Sequence, residues 1–466
     1  MNKNKFRWQL SGLIIFLMLL SCLPAGIQPD NQNALATIVA STLTAIAANA
    51  PASVETSAPD VPAPVETSAP VVPPVSAPRA LQVAFIKDGN VYVWTEGESS
   101  VNLTSTRDAV RVSISDDGQV IAYARQEPGN YFAHEIWAVN TSGPTNARML
   151  VSSAELEALK AASPFHDASG LRPDFIEWRP GTHQLAYSTA PMFEGPGYAP
   201  GEDLRLVDAD TMAKKTVFDF EQGGLFYFSP DGAQVALSTP DHISLANIDG
   251  SNLRSNVLTF PLVGTYSEYQ YHPRPVWAAD STSLRVAIPP TDTLATPTPP
   301  TGLWRIPTDG SPATQLGSIP AIPFAWPDTA FSPGLDRVAY AKSIGEPAAN
   351  QRELHIANAD GSGDFVFATG ESIEFWQWTP DGTRFVYAIN GGAERGIYLG
   401  RLSGGATLIA SLPATVQQMS WVDSSRFLYL SQNGNIWELR ISDVDGTDHA
   451  FIDSLPDTFG SYDFTQ

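Results

Sequence analysis

The sequence predicts an all-β protein in which one small antiparallel sheet recurs many times. Seven segments place an aromatic or apolar residue before a turn that resembles Ser-Pro-Asp-Gly, and a short β-branched or aromatic run follows each turn. They are ISDDGQVIAY from Ile114, WRPGTHQLAY from Trp178, FSPDGAQVAL from Phe228, WAADSTSLRVAI from Trp277, FSPGLDRVAY from Phe331, WTPDGTRFVY from Trp378 and WVDSSRFLYL from Trp421. Successive copies start 64, 50, 49, 54, 47 and 43 residues apart, a period typical of one small sheet. Because one such sheet cannot bury its faces alone and a ring of them can, the period predicts a β-propeller.

Composition agrees with many strands joined by tight turns. Charged residues make up 16% of the chain and aromatic residues 10%, with 35 glycines and 38 prolines. The 27 Lys and Arg stand against 49 Asp and Glu, which gives a net charge of −22. Phosphate binding needs clustered Lys and Arg, so the charge argues against nucleic acid or an anionic membrane surface as the partner.

The N-terminus resembles the export signal of a bacterial lipoprotein. Three basic residues precede an apolar stretch, Leu10 to Leu20, that is too short to span a membrane comfortably. The stretch ends in Leu19-Leu20-Ser21-Cys22, which is similar to the lipobox whose cysteine is acylated and becomes the new N-terminus. Cys22 is the only cysteine in the chain, so no internal disulfide is expected. The resemblance implies a signal peptide of residues 1–21 and a cell-membrane protein held on the extracytoplasmic side by the diacylglyceryl and acyl chains of Cys22. The alternative is an ordinary signal peptide with an incidental cysteine.

Residues 22–80 are predicted to be a linker. Residues 33–49 carry apolar residues among Ala and Thr, which fits either a weak helix or a low-complexity tether. Proline recurs from Pro51 to Pro78, where VETSAP occurs twice, and such a segment favours extended, disordered polyproline II structure.

The repeat can be divided into four strands. An inner strand ends at the aromatic residue, a second strand follows the turn, and a third strand comes next. The third strands are IWAV from Ile136, LRLV from Leu204, ISLA from Ile243, LWRI from Leu303, LHIA from Leu354, IYLG from Ile397 and IWEL from Ile436. Asp-Gly pairs at Asp249, Asp309, Asp360 and Asp445 predict two-residue hairpins before a short fourth strand.

Blade number depends on the two ends of the domain. Val83 to Trp94 matches the second and third strands of a blade that lacks its first strand, and Gly460 to Thr465 has the pattern of one more strand. If the C-terminal strand completes the N-terminal blade, eight blades close without exposed edges. Seven is the alternative if the terminal strand pairs elsewhere.

Three parts of the repeat resemble the WD-like repeat of the TolB family: the Ser-Pro-Asp-Gly turn, the apolar-Ala-Tyr run after it and the later Ala-Asp-Gly-Ser. They also resemble the propellers that precede the hydrolase domain in dipeptidyl-peptidase-type enzymes. The resemblance covers residues 81–466 and is most specific at Phe228, Phe331 and Trp378. The repeats at Trp277 and Trp421 depart from it because they lack Pro-Asp-Gly. The resemblance implies an extracytoplasmic propeller that works by binding.

Catalytic and metal-binding signatures are mostly absent from the sequence. There is no G-x-S-x-G elbow and no hydrolase-sized segment after the propeller, and the seven histidines lack metal-ligand spacing. The segment from Asp443 to Asp448 resembles the start of a calcium loop, but Ser454 stands where the last ligand should be glutamate. We therefore predict no enzyme activity, no cofactor and no metal. A sialidase-like layout, with a tyrosine, a carboxylate and several arginines on the axis, is the alternative.

The insertions predict which face binds a ligand. In a meander the strand 2–3 loops and the connections between blades lie on one face, and nearly all long segments fall there: 126–134, 152–173, 190–203, 261–275, 289–301, 319–328 and 343–352. Ser152 and Glu155 predict a capped helix in the longest of them, which either covers part of the axial opening or is a decoration.

Aromatic residues in these segments are the candidate ligand contacts: Tyr266, Tyr269, Tyr271, Phe193, Tyr198 and Trp326. Tyrosine offers contact area at low entropic cost. The alternative for the three tyrosines of residues 266–271 is an irregular strand that packs on a blade. The sequence thus predicts a module that binds an envelope protein, a peptide or a glycan, and the alternative is a glycan-active or other hydrolytic propeller.

Overall fold

The computed structural model describes residues 80–126, 133–193, 199–297, 299–321, 331–345, 350–409, 416–444, 449–455 and 461–465. Residues 1–79 lie outside these ranges, so the signal peptide, Cys22 and the linker stay predictions.

The described residues form eight antiparallel sheets, one per blade, and the all-β propeller prediction is confirmed. Blade 1 contains β1 (Gln82–Lys87), β2 (Asn90–Thr95), β3 (Val101–Asn102) and β31 (Tyr462–Phe464). Blade 2 contains β4 (Ala109–Ile114), β5 (Val120–Gln126), β6 (Ala133–Asn140) and β7 (Arg148–Val151). Blade 3 contains β8 (Gly170–Trp178), β9 (Gln184–Met192), β10 (Leu204–Asp208) and β11 (Lys214–Phe218). Blade 4 contains β12 (Leu225–Phe228), β13 (Gln234–Ser238), β14 (His242–Asn247) and β15 (Arg254–Thr259).

The other four blades repeat this plan. Blade 5 contains β16 (Val276–Trp277), β17 (Ser283–Ile288), β18 (Thr301–Pro307) and β19 (Thr314–Ile319). Blade 6 contains β20 (Arg337–Ser343), β21 (Gln351–Asn358) and β22 (Phe365–Glu371), and a bridge from Phe331 to Val338 occupies the inner position. Blade 7 contains β23 (Ile373–Trp378), β24 (Arg384–Ile389), β25 (Gly396–Arg401) and β26 (Ala406–Leu408). Blade 8 contains β27 (Val416–Trp421), β28 (Arg426–Asn433), β29 (Ile436–Asp443) and β30 (His449–Leu455).

Blade 1 is closed by strands from both ends of the domain, as predicted. The C-terminal β31 pairs antiparallel with β1, and Val83 lies opposite Phe464. Gln82 N donates to Thr465 Oγ1 at 3.0 Å, and Thr465 N donates to Gln82 O at 2.9 Å. Pairing the termini in this way supplies the missing inner strand, so eight is the correct blade count.

Buried side chains fill the space between neighbouring blades. Eight apolar clusters lie between successive blades, and one of them joins blade 8 to blade 1. The aromatic residue that ends an inner strand contributes to these contacts, since the indole Nε1 of Trp178 donates to Ser113 O of blade 2 at 3.1 Å. Trp277 makes the same bond to Tyr227 O of blade 4 at 3.0 Å. Contacts between blades therefore account for the tryptophan at this position of the repeat in blades 3 and 5.

The Asp-Gly hairpins differ from the prediction in length. Asn247 N donates to Ser251 O, and Gly250, at φ 85°, donates to Asn247 O, which encloses three residues. Asp249 does not adopt positive φ, because its carboxylate accepts a hydrogen bond from Ser251 N at 2.9 Å and holds an ordinary turn before the glycine. The same pattern recurs from Asn358 to Ser362. These two turns are three-residue hairpins, so the two-residue prediction was wrong at Asp249 and Asp360, and Asp445 lies outside the described residues.

Helical structure is limited to short elements in the described residues. A 3₁₀ turn covers Pro144–Asn146, and helix α1 covers Ser153–Ala162. Within the described ranges, none of the helices has the length and apolar character that crossing a membrane requires.

Candidate ligand-binding site

The antiparallel meander gives the propeller two unlike faces. The turns between strands 1 and 2 and between strands 3 and 4 lie on one face, which we call the turn face. The strand 2–3 loops and the blade-to-blade connections lie on the opposite face, which we call the loop face. The long insertions belong to the loop face.

Short turns on the turn face are stabilised by one repeated side-chain arrangement. In blade 4 the carboxylate of Asp231 accepts hydrogen bonds from Ser229 Oγ at 2.5 Å and from Ala233 N at 3.0 Å. In blade 7 Asp381 accepts from Thr379 Oγ1 at 2.6 Å and from Thr383 N at 3.0 Å. Partial burial opposes ionisation of Asp231, but the hydrogen bond from Ser229 and its other partners hold the pKa of Asp231 below its usual value. The repetition indicates a structural role.

Helix α1 begins as predicted. Ser152 Oγ accepts from Glu155 N at 3.2 Å, and Glu155 Oε2 accepts from Ser152 N at 2.8 Å, which is a complete capping box. Leu156 is buried in the cluster between blades 2 and 3, and Glu155 pairs with Lys214 of the outer strand β11. The helix therefore packs at the junction of two blades and starts near the outer edge of blade 3.

A polar cleft of about 600 Å³ lies between loop-face segments of blades 3 and 4 and extends along the outer strand β15 through Asn256 and Ser255 to Leu253. We call it the acidic cleft, because Glu202, Glu221 and Asp241 line it. Its described lining also includes His242, amides such as Gln270, and several hydroxyl groups, with no Lys or Arg. Its volume lies in the usual range for small-ligand pockets.

Histidines position two of the three carboxylates. His242 Nδ1 lies 2.6 Å from Asp241 Oδ1, and this contact, assisted by Thr239, holds the pKa of Asp241 below its usual value. On the opposite wall, the buried His272 places Nε2 at 3.3 Å from Glu202 Oε1. Asp241 thus stays an anion at neutral pH.

The backbone beneath Glu202 is fixed from behind. Asp203 is fully buried and accepts from Thr189 N at 2.7 Å and from Arg205 Nε at 2.7 Å. Glu202 itself has φ 49°, a left-handed conformation that its buried neighbour holds in place. The Glu202 side chain therefore lies on a rigid support.

An apolar ridge borders the acidic cleft. We give this name to Leu262, Tyr266 and Leu294, which are 54%, 64% and 69% exposed. They belong to two loops that are joined at Gly264 and Asp292 by a parallel bridge. Asp292 Oδ1 accepts from Tyr266 OH at 2.6 Å and from Leu294 N at 3.0 Å, so one carboxylate holds both residues. Leu262 also lines the cleft, which makes cleft and ridge continuous.

The structure distributes the predicted ligand contacts unevenly. Tyr266 and Phe193 are exposed on the loop face, and Tyr269 is half-buried. Tyr271 is only 5% exposed, a placement typical of a packing residue, so of the three tyrosines only Tyr266 presents a large surface. Tyr198, Trp326 and Cys22 lie outside the described residues.

Sequence reasoning missed the carboxylates of the acidic cleft and the two leucines of the ridge. The pair Asp241-His242, at a strand 2–3 loop, was an available signal for the cleft. Leucines within two otherwise polar loops were an available signal for the ridge.

Charged groups on the inner strands are used in contacts between blades. Asp463 Oδ2 of blade 1 accepts from Ser113 Oγ and from Ile114 N of blade 2, both at 2.9 Å. Arg111 of blade 2 donates to Asp174 O of blade 3, and Asp174 pairs with Arg172 at 2.8 Å. These contacts stabilise the ring.

Metal binding finds no support in the described residues, among which no group of three or more His, Cys, Asp or Glu side chains could hold an ion. Most of the calcium-like segment, residues 445–448, lies outside the described ranges.

Comparison with known proteins gives likenesses of low identity. No family model matches the sequence, and no curated protein matches it. Among solved structures, the chain is similar to dipeptidyl peptidase 4 from Porphyromonas gingivalis, with 16% identity, a TM-score of 0.48, and coverage of 73% of this chain and 52% of that chain. It is similar to the propeller domain of the Trilobed protease from Pyrococcus furiosus, with 10% identity, a TM-score of 0.43, and coverage of 75% and 99%. TolB from Acinetobacter baumannii matches with 15% identity, a TM-score of 0.30, and coverage of 60% and 62%. This chain spans about half the length of the peptidase, and TolB-like propellers are among the solved structures that it resembles.

Proposed function

We propose that the chain is a lipid-anchored, extracytoplasmic binding module. In this proposal Cys22 carries the anchor, residues 22–80 form the tether, and the loop face binds an envelope protein, a peptide or a glycan. The observation that carries the proposal is the concentration of long loops, a cleft and an exposed apolar ridge on a single face. A rigid scaffold with elaborated loops on one side is the usual plan of a binding surface.

The chemistry of the acidic cleft supports binding. Carboxylates, amides and hydroxyls can each accept or donate hydrogen bonds to a polar ligand. The histidine contacts to Asp241 and Glu202 fix two of these groups before a ligand arrives. A site whose polar groups are already ordered loses less entropy when it binds.

The anchor is supported by the sequence. The only cysteine follows a small residue at the end of the apolar stretch, where a role in packing would not place it. Acyl chains give firmer membrane attachment than charge could, and the net charge of −22 opposes adsorption to anionic lipid.

The anchor is tested with Cys22→Ala. We expect the variant to leave the membrane fraction or to retain its signal, and mass spectrometry of the wild-type N-terminus should show an acylated cysteine. Ser21→Ala is the control, because it keeps a small residue before the cysteine and should fractionate like wild type. If Cys22→Ala migrates and fractionates like its parent, the acylation proposal is wrong.

Binding is tested by immobilising the full chain in detergent and presenting envelope glycans, peptides and envelope proteins. Glu221→Gln on the loop face should weaken binding, and Glu98→Gln, an exposed glutamate in a strand 3–4 turn of the turn face, should not. Loss with Glu98→Gln alone would move the site to the turn face. Accumulation of a cleaved product would replace the binding module with the hydrolytic alternative.

A further inference from the structure

The acidic cleft and the apolar ridge together define the chemistry of a partner, and this inference rests on the proposed function. The three carboxylates of the cleft have no Lys or Arg among their described neighbours on its lining. Asp241 is held ionised by its neighbours, and Glu221 is exposed to solvent. A cation that enters the cleft would therefore gain favourable electrostatic energy without displacing a Lys or Arg from the lining, and the exposed Glu221 is open to it.

The ridge presents the opposite chemistry at the edge of the same cleft. Large apolar side chains that are more than half exposed are favourable places to bury apolar surface, at about 25 cal/mol per Å². Tyr266 and Leu294 both bond to Asp292, the first through its hydroxyl and the second through its backbone N–H, and Leu262 lies two residues from the bridge residue Gly264. Since Leu262 belongs to both surfaces, a ligand that fills the cleft can extend onto the ridge without crossing a gap.

We propose that this surface binds a polypeptide segment in which a Lys or Arg side chain enters the acidic cleft and a neighbouring large apolar side chain packs on the ridge. Side chains of an extended chain alternate between two sides at about 3.3 Å per residue, so residues i and i+2, about 6.6 Å apart, can supply both groups to one surface. A neutral glycan would satisfy the polar groups of the cleft but would not cover Leu262 and Leu294. An anionic membrane surface would be repelled by the carboxylates.

The experiment uses the full chain in detergent and a displayed library of random dodecapeptides. We expect enrichment of peptides with Lys or Arg two residues from Leu, Ile or Phe. A synthetic version of the most enriched peptide then serves as the probe, and its dissociation constant is measured at 50 and 500 mM salt. Screening should weaken binding at high salt, because the interaction is between opposite charges.

Variants separate the two halves of the surface. Asp241→Asn combined with Glu221→Gln should weaken binding of the peptide tenfold or more and flatten the salt dependence. Leu262→Ser combined with Leu294→Ser should weaken binding several-fold, mainly through faster dissociation, and leave the salt dependence in place. Glu98→Gln is the matched control on the turn face and should bind like wild type. Thermal melts of each variant show whether the fold is retained.

The outcomes distinguish this inference from the function on which it rests. Enriched peptides that lack a basic residue, or that bind the carboxylate variants unchanged, overturn the basic-apolar partner. If only a glycan binds, and Glu221→Gln weakens it, the binding module stands and the polypeptide partner is wrong. If no peptide, protein or glycan binds the loop face, both proposals fail.

Discussion

The turn face and the loop face are built from the same strands but differ in regularity. On the turn face, blades 4 and 7 use the same carboxylate arrangement with distances that agree within 0.1 Å. On the loop face, no two of the described connections that line the cleft and the ridge share such a pattern. One connection carries helix α1, and another joins a strand 2–3 loop at Gly264 and Asp292.

The difference shows which constraint acts on each face. A chain that reverses within a few residues is stabilised by hydrogen bonds to the turn, and blades 4 and 7 make these bonds with the same kinds of side chain. A loop-face segment only has to reach the next strand, and its length and composition are free to differ. The irregular face is the one on which we propose that a ligand binds, and the predictions below test that separation.

The largest effect should come from the strand that closes the ring, on which both faces depend. Phe464 is buried in blade 1, whereas Phe451 is half-exposed on the outer strand of blade 8. Phe464→Ala should lower the free energy of unfolding by about 3–5 kcal/mol, because it leaves a cavity between blades 8 and 1. Phe451→Ala, the matched control, should cost less than about 1 kcal/mol. Guanidinium unfolding measures both, and equal losses would show that β31 does not close the ring.

A turn-face carboxylate should affect stability and leave binding unchanged. Asp231→Ala should cost about 1 kcal/mol at pH 7, since two hydrogen bonds to the turn are lost. The pKa of Asp231 is lowered in the folded protein, so its stabilisation is present above about pH 4 and is lost as the pH falls through the folded pKa. The difference between wild type and variant should therefore shrink below pH 4. Asp381→Ala should behave alike, and a binding defect in either variant would break the separation of the two faces.

The repeated strands and turns were predictable from sequence because each is indicated by residues that are close together in the chain. The turn at Phe228, the third strand at Ile243 and the capping box at Ser152 each lie within a few residues. Closure was predictable because Val83 to Trp94 matched only part of the repeat. The Asp249 hairpin was misjudged, since its carboxylate forms a competing turn that a dipeptide rule does not consider.

The candidate site was harder to predict because it depends on distances between blades. Glu202 and His272 are 70 residues apart in sequence but lie in contact, and nothing local indicates their meeting. Tyr266, Tyr269 and Tyr271 lie close together in one connection, but that connection is not one of the strands that the structure describes. Without a sheet to define its two sides, their spacing could not show which tyrosine is exposed.

The smallest predicted effect is a pH dependence at a junction on the turn face. His183 Nδ1 lies 2.7 Å from Asp210 Oδ2 of its own blade, and Nε2 lies 3.1 Å from Asp117 of blade 2. Burial alone would lower the pKa of His183, but the hydrogen bonds and charges of Asp210 and Asp117 raise it above its usual value. A raised pKa means that the folded state binds the proton more tightly than the unfolded state, so the stabilisation is complete below about pH 6.5 and is lost as the pH rises through the folded pKa. Because the contacts are partly open to water, they contribute at most about 1 kcal/mol.

His183→Gln should therefore reduce the melting temperature more at pH 5.5 than at pH 8.5, relative to wild type measured at the same pH. His166→Gln changes an exposed histidine of the loop face and should give the same difference at both pH values. The comparison is between variants at each pH, so the general destabilisation of an acidic protein by low pH cancels. If the effect of His183→Gln were larger at pH 8.5, the two carboxylates would not be stabilising a proton at this junction. Since the junction lies on the turn face, His183→Gln should bind the basic-apolar peptide with the same dissociation constant as wild type. A changed dissociation constant would show that the two faces are coupled through blades 2 and 3.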